Sequence, residues 1–240
     1  MTATLERRVG ETTVRRPGPM EFWRTSVGKK AVMAVTGAVL LLYLFAHMLG
    51  NLKIYFGAAA FDHYAHWLRT IGEPLLPYGW FLWLLRGVLT VSVVLHIVAA
   101  AQLTARSRAA RRGRGSARRL RVPGTYATRT MRWGGVVIAL FVVYHILDIT
   151  LGTLNPDYLA GHVYHNVTAD FRYWFVAAFY TVAMAALALH IRHGVWSATQ
   201  TLGLAGTRER VLRAASTAVA VVICGGFVVV PWSILLGFVR

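Results

Sequence analysis

Residues 31–52 read AVMAVTGAVLLLYLFAHMLGNL, 22 positions without an Asp, Glu, Lys or Arg. The hydrocarbon core of a bilayer needs about 20 mostly apolar residues per helix, so this stretch is long enough to cross it. Four more runs share the pattern: 79–105 is interrupted only by Arg86, 133–154 only by Asp148, 173–197 only by Arg192, and 214–239 by no charge. The composition of the whole chain agrees. It has 240 residues, 56% hydrophobic and 15% charged, with a mean hydropathy of +0.51. A water-soluble domain of this length needs more polar surface than that. The expected fold is all-α: an integral membrane five-helix bundle with helices at about 31–54, 79–105, 131–154, 172–198 and 212–238, preceded by an N-terminal segment, 1–30. That segment is basic and polar, without the apolar run of a cleavable signal peptide.

The formal charge of +17 comes from 26 Lys and Arg against nine Asp and Glu. Its distribution argues for topology, not nucleic-acid binding. Segment 1–30 carries seven Lys or Arg, and the second connection, 106–132, carries ten Arg and no acid. The fourth connection adds Arg208, Arg210 and Arg213, whereas the first and third mix Lys53, Arg69 and Arg172 with acids. The positive-inside rule then puts the N-terminus in the cytoplasm and the C-terminus outside. The arginine-rich run RSRAARRGRGSARRLR at 106–121 suits anionic lipid or a cytoplasmic partner, and no nucleic-acid recognition module accompanies it.

Four of the nine histidines fall inside the apolar runs: His47, His96, His145 and His190. Ionisable groups at membrane depth are costly and point to function. At about 1.5 Å per residue, His96 lies about 15 Å from the cytoplasmic edge and His190 about 27 Å from the outer one. By the same rise, His47 and His145 lie about 25 and 20 Å from the cytoplasmic side. The depths sort into an inner pair, His96 with His190, and an outer pair, His47 with His145. Two imidazoles facing each other across a bundle suit a b-type haem, four helices enclosing two of them. Structural zinc wants four clustered ligands and fits two separated pairs poorly.

Gly194 follows His190 by four residues and Gly50 follows His47 by three, positions that leave room for a flat macrocycle or serve ordinary helix packing. Arg86 is expected near the outer haem level, where it either pairs with a propionate or snorkels to the interface. Arg192 is read as snorkelling, and His193 is the rival to His190 as axial ligand. His63, His66, His162 and His165 sit in connections rich in aromatic residues, as an interfacial belt or a quinone or proton site. Trp80, Trp83, Trp133, Trp174 and Trp232 are read as belt residues. The single cysteine, Cys224, excludes an intramolecular disulfide and a cysteine-ligated cluster and is read as a small packing residue.

Two segments carry a family resemblance. SVGKKAVMAVTG at 26–37, followed by HMLGN at 47–51, and HIRHGVWSATQTLG at 190–203 resemble the cytochrome b558 membrane-anchor subunit of succinate dehydrogenase, the single-anchor, di-haem kind. The resemblance covers roughly residues 24–205. It implies a bacterial plasma-membrane protein beneath a flavoprotein subunit and an iron–sulfur subunit, passing electrons from the latter through two bis-His haems b to quinone, menaquinone by resemblance. It implies His96 and His190 as axial ligands of one haem and His47 and His145 of the other. It favours His190 over His193, since the ligand is the histidine four before the glycine. The chain has no dinucleotide fingerprint, so flavin and succinate belong to a partner. One departure is Ala188, where some fumarate reductases of this architecture carry a glutamate. An anchor of a quinol:fumarate reductase and a haem-free transporter using the same histidines are the rival readings.

Overall fold

The computed structural model describes residues 18–112, 126–204 and 206–240. The first 17 residues and most of the arginine-rich run lie outside them. Eight α-helices are described: α1 (Pro19–Arg24), α2 (Ser26–Leu52), α3 (Ala58–Thr70), α4 (Trp80–Arg112), α5 (Tyr126–His145), α6 (Val163–Asp170), α7 (Trp174–Thr201) and α8 (Glu209–Leu235). Five of them, α2, α4, α5, α7 and α8, are long and apolar enough to cross a membrane. This is the expected number, and each overlaps an expected run. There is no strand among the described residues.

The helices outrun the apolar stretches at some ends and fall short at others, for local reasons. α2 begins at Ser26, five residues before the expected start, because the Thr25 hydroxyl caps it by accepting from the Gly28 N–H at 2.8 Å. α4 continues through Ala and Arg to Arg112, both good helix formers that extend a helix past the end of its apolar run. α5 passes into a π-turn, Ile146–Thr150, and stops there instead of at 154. Leu151 N–H bonds back to the Ile146 carbonyl at 2.9 Å, and Gly152 turns the chain at φ +70°.

α7 is the centre of the packing. It lies against α8 and α5, while α2 packs on α4, α8 and α7. Its buried residues, Val176, Ala177, Tyr180, Ala183, Met184, Leu187 and Ile191, recur at three- and four-residue spacing along one face. Ala177, Ala183 and Ala220 in the core let helix axes approach closely. Cys224 packs in the same α7–α8 cluster, in the structural role expected for it. The outward faces carry large apolar side chains in the open: Leu42 is 70% exposed, Leu140 67% and Val182 67%. Such a surface suits lipid as solvent, since the backbone polar groups are satisfied within each helix.

α3 and α6 occupy the expected first and third connections, which the sequence reading treats as loops. They join through the Tyr164 N–H, which donates to Asp62 Oδ1 at 2.8 Å. At the opposite end, α1 folds back on α2, with Lys29 Nζ donating to the Trp23 carbonyl at 2.6 Å and lying 4.5 Å over its ring. Gly28 makes this turn possible: a Cβ there would sit 1.9 Å from the Phe22 carbonyl oxygen, a backbone atom. Gly28→Ala is expected to lever α1 away at a cost of roughly 1–3 kcal/mol, seen as faster proteolysis around residue 25 with the five long helices intact.

Candidate functional site

The inner pair comes together. His96 on α4 and His190 on α7 have ring centroids 6.3 Å apart, with planes at 58°. Thr36 on α2, a buried residue, holds the His96 ring. Its hydroxyl donates to the Val32 carbonyl at 2.7 Å, and its oxygen lies 3.2 Å from His96 Nδ1. With the hydroxyl proton engaged, that oxygen accepts from Nδ1–H, which leaves the lone pair on Nε2. Gly37, one residue on, lets the ring lie against α2: a Cβ there would be 3.3 Å from His96 Cε1. His190 Nδ1 is buried without a hydrogen-bond partner.

The outer pair meets at the end of the bundle that carries α3 and α6. His47 on α2 and His145, the last residue of α5, have centroids 6.0 Å apart and planes at 74°. Tyr43 stacks on His47 at 5.4 Å, and Phe227 closes its other side at 5.6 Å. Phe141 stacks on His145 at 5.9 Å. The Tyr180 hydroxyl donates to Asp148 Oδ2 at 3.0 Å and lies 3.3 Å from His145 Nδ1. The logic is that of the inner pair. The hydroxyl proton is engaged by the carboxylate, so its oxygen accepts from Nδ1–H and Nε2 keeps the lone pair.

Both pairs bridge helices whose backbones are held apart. Neither α2 with α5 nor α4 with α7 is among the closely packed helix pairs of the described residues. The imidazoles therefore reach across the interior from opposite walls. Two imidazoles bonded to opposite sides of one metal at about 2 Å each place their ring centroids about 6 Å apart. Both observed separations match. In both pairs one ring is oriented by a hydroxyl on Nδ1, the arrangement that presents Nε2 to a metal. The described residues hold no group of three or more His, Cys, Asp or Glu side chains placed to bind a metal ion.

The surrounding residues fall differently from one another. Gly194 faces open space, with nothing within 4 Å of where a Cβ would stand. Gly50 does not: its face is filled by Tyr64, whose hydroxyl would meet a Cβ at 3.0 Å, so its smallness serves the packing of α3 on α2. Arg86 is exposed, its guanidinium 4.8 Å over the Trp83 ring. Arg192 is exposed and donates to Thr217 Oγ1 at 3.1 Å. His193 is half-buried. His63 and His66 lie exposed on α3, His66 against Tyr78 at 6.1 Å. His162 precedes α6, and His165 Nε2 bonds the Asp157 carbonyl at 3.0 Å.

Thr36 and Tyr180 are the residues that sequence reasoning missed. Thr36 carries a legible signal in hindsight, a hydroxyl one residue before Gly37 in an apolar run. Tyr180 has none, since it comes to His145 from another helix. Comparison of the chain with protein-family models, curated proteins and solved structures returns no match.

Proposed function

We propose that the chain is the membrane-anchor cytochrome b subunit of a succinate dehydrogenase, carrying electrons from an iron–sulfur subunit to quinone, menaquinone by resemblance. The observation that carries the cytochrome reading is the pair of imidazole couples, 6.3 and 6.0 Å between centroids, each spanning helices that are not among the closely packed pairs of the described residues. The choice of partner enzyme rests on the resemblance of residues 26–51 and 190–203.

His96 and His190 would hold one haem b, His47 and His145 the other. A haem held by two imidazoles would supply electron transfer. The chain's residues do the rest. Thr36 and Tyr180 would fix the tautomer of one ligand in each pair. Arg86 would have to leave Trp83 to meet a propionate. The arginine-rich connection and the basic N-terminal segment would face the flavoprotein and iron–sulfur subunits on the cytoplasmic side of a bacterial plasma membrane, by the charge rule alone.

A reduced-minus-oxidised absorbance spectrum of the purified chain tests the cytochrome reading: two b-type components are expected, and a colourless protein overturns it. In the complex purified with its partner subunits, succinate oxidation outpacing quinol-driven fumarate reduction supports the dehydrogenase. The reverse assigns the anchor to a fumarate reductase with the same helices.

A further inference from the structure

Two carboxyl groups are buried together where no Lys or Arg of the described residues pairs with them. Asp148, in the π-turn after His145, is 0% exposed, and Asp170, the last residue of α6, is 3% exposed. Their side chains lie within hydrogen-bonding reach of each other. Asp148 Oδ1 and Asp170 Oδ2 are both buried with no donor. No Lys or Arg among the described residues forms an ion pair with either. The groups facing them are Tyr144 and His145 from the α5 side and Tyr180 from α7. None of these is a permanent cation.

Two adjacent carboxylates in such a place cannot both be ionised, because like charges and desolvation both penalise the second charge. Two deprotonated carboxyls also cannot hydrogen-bond each other, since each only accepts. A proton between them resolves both problems and gives an orphaned oxygen its donor. We propose that Asp148 and Asp170 share a single proton and form a proton-exchange site at the α3/α6 end of the bundle.

The π-turn supports this assignment. A π-bulge redirects a side chain and occurs often at functional sites, and here it brings Asp148 inward. Asp170 closes α6, two residues before the exposed Arg172. Burial, with the Asp148 charge second, holds the Asp170 carboxyl well above the usual carboxylate range. The ligand is the proton itself. The chemistry it would serve is a proton-consuming or proton-releasing reaction at this end, quinone turnover being the one the proposed function supplies, and only that clause rests on that reading.

Infrared spectroscopy of the full chain in lipid, with aspartate carboxyls labelled by carbon-13, tests the site. A protonated aspartic acid band is expected that persists to a pH well above the usual carboxylate range before it disappears. Asp170→Asn should abolish the titrating band, and Asp148→Asn should move its disappearance to lower pH by removing the neighbouring charge. A wild-type chain with no such band, or a band that titrates identically in both variants, overturns the proposal. The wild-type measurement decides even if a variant fails to fold. A titrating band in a chain that binds no haem keeps this site and removes the cytochrome reading; haem without the band does the opposite.

Discussion

His47→Ala is expected to halve the haem per chain, removing one b-type absorption component while the other persists. The two imidazole pairs are separate: His47 meets His145, and His96 meets His190. On the proposed reading, loss of the His47 imidazole would open the outer site without touching the inner one, whose His96 ring is held by Thr36 from a different turn of α2. His96→Ala should remove the complementary component. His193→Ala serves as the internal control and should leave both, because His193 takes no part in either ring pair. If His47→Ala and His96→Ala bleach the same component, the pairing is wrong. Loss of neither band means that the histidines only pack.

Tyr180→Phe is the second change with a large expected effect, because one hydroxyl serves two buried groups. It donates to Asp148 Oδ2 at 3.0 Å and faces His145 Nδ1 at 3.3 Å. Removing it strands a buried carboxyl oxygen, costing about 1–3 kcal/mol of stability. It also frees the imidazole to take the other tautomer. Loss of a hydrogen bond that orients a metal-bound histidine typically costs about 10–100-fold in metal affinity, and the outer haem should weaken by that order while the inner one is retained. Thr36→Val is the matching change at the inner pair. It keeps the side chain's shape, removes the hydroxyl that engages His96, and should weaken only the inner site. Haem titration of the apo-protein reads both. Equal loss at the two sites in either variant would indicate global unfolding instead of ligand orientation.

Much of the fold was legible in the sequence because membrane helices announce themselves by length and charge: five runs became five long helices. The histidine pairing was legible too, since a rise of about 1.5 Å per residue converts sequence distance into depth and both predicted pairs bring their rings together. What stayed hidden depends on contacts between distant segments. The π-turn that buries Asp148 follows from backbone geometry at Ile146–Thr150, and the sequence shows there only a lone charge in an apolar run. Asp170 joins it from α6, a short helix inside what the sequence presents as a connection. At Gly50 the structure chooses between two readings that the sequence leaves open. Its spacing from His47 suggested room for a macrocycle, but Tyr64 on α3 occupies that room, a neighbour that no local pattern reveals.

The most direct test of the central claim is a pyridine haemochrome assay on the purified, fully loaded chain, normalised to protein by amino-acid analysis. Two haems b per chain are expected. No extractable porphyrin would contradict it, whatever the agreement of the motifs.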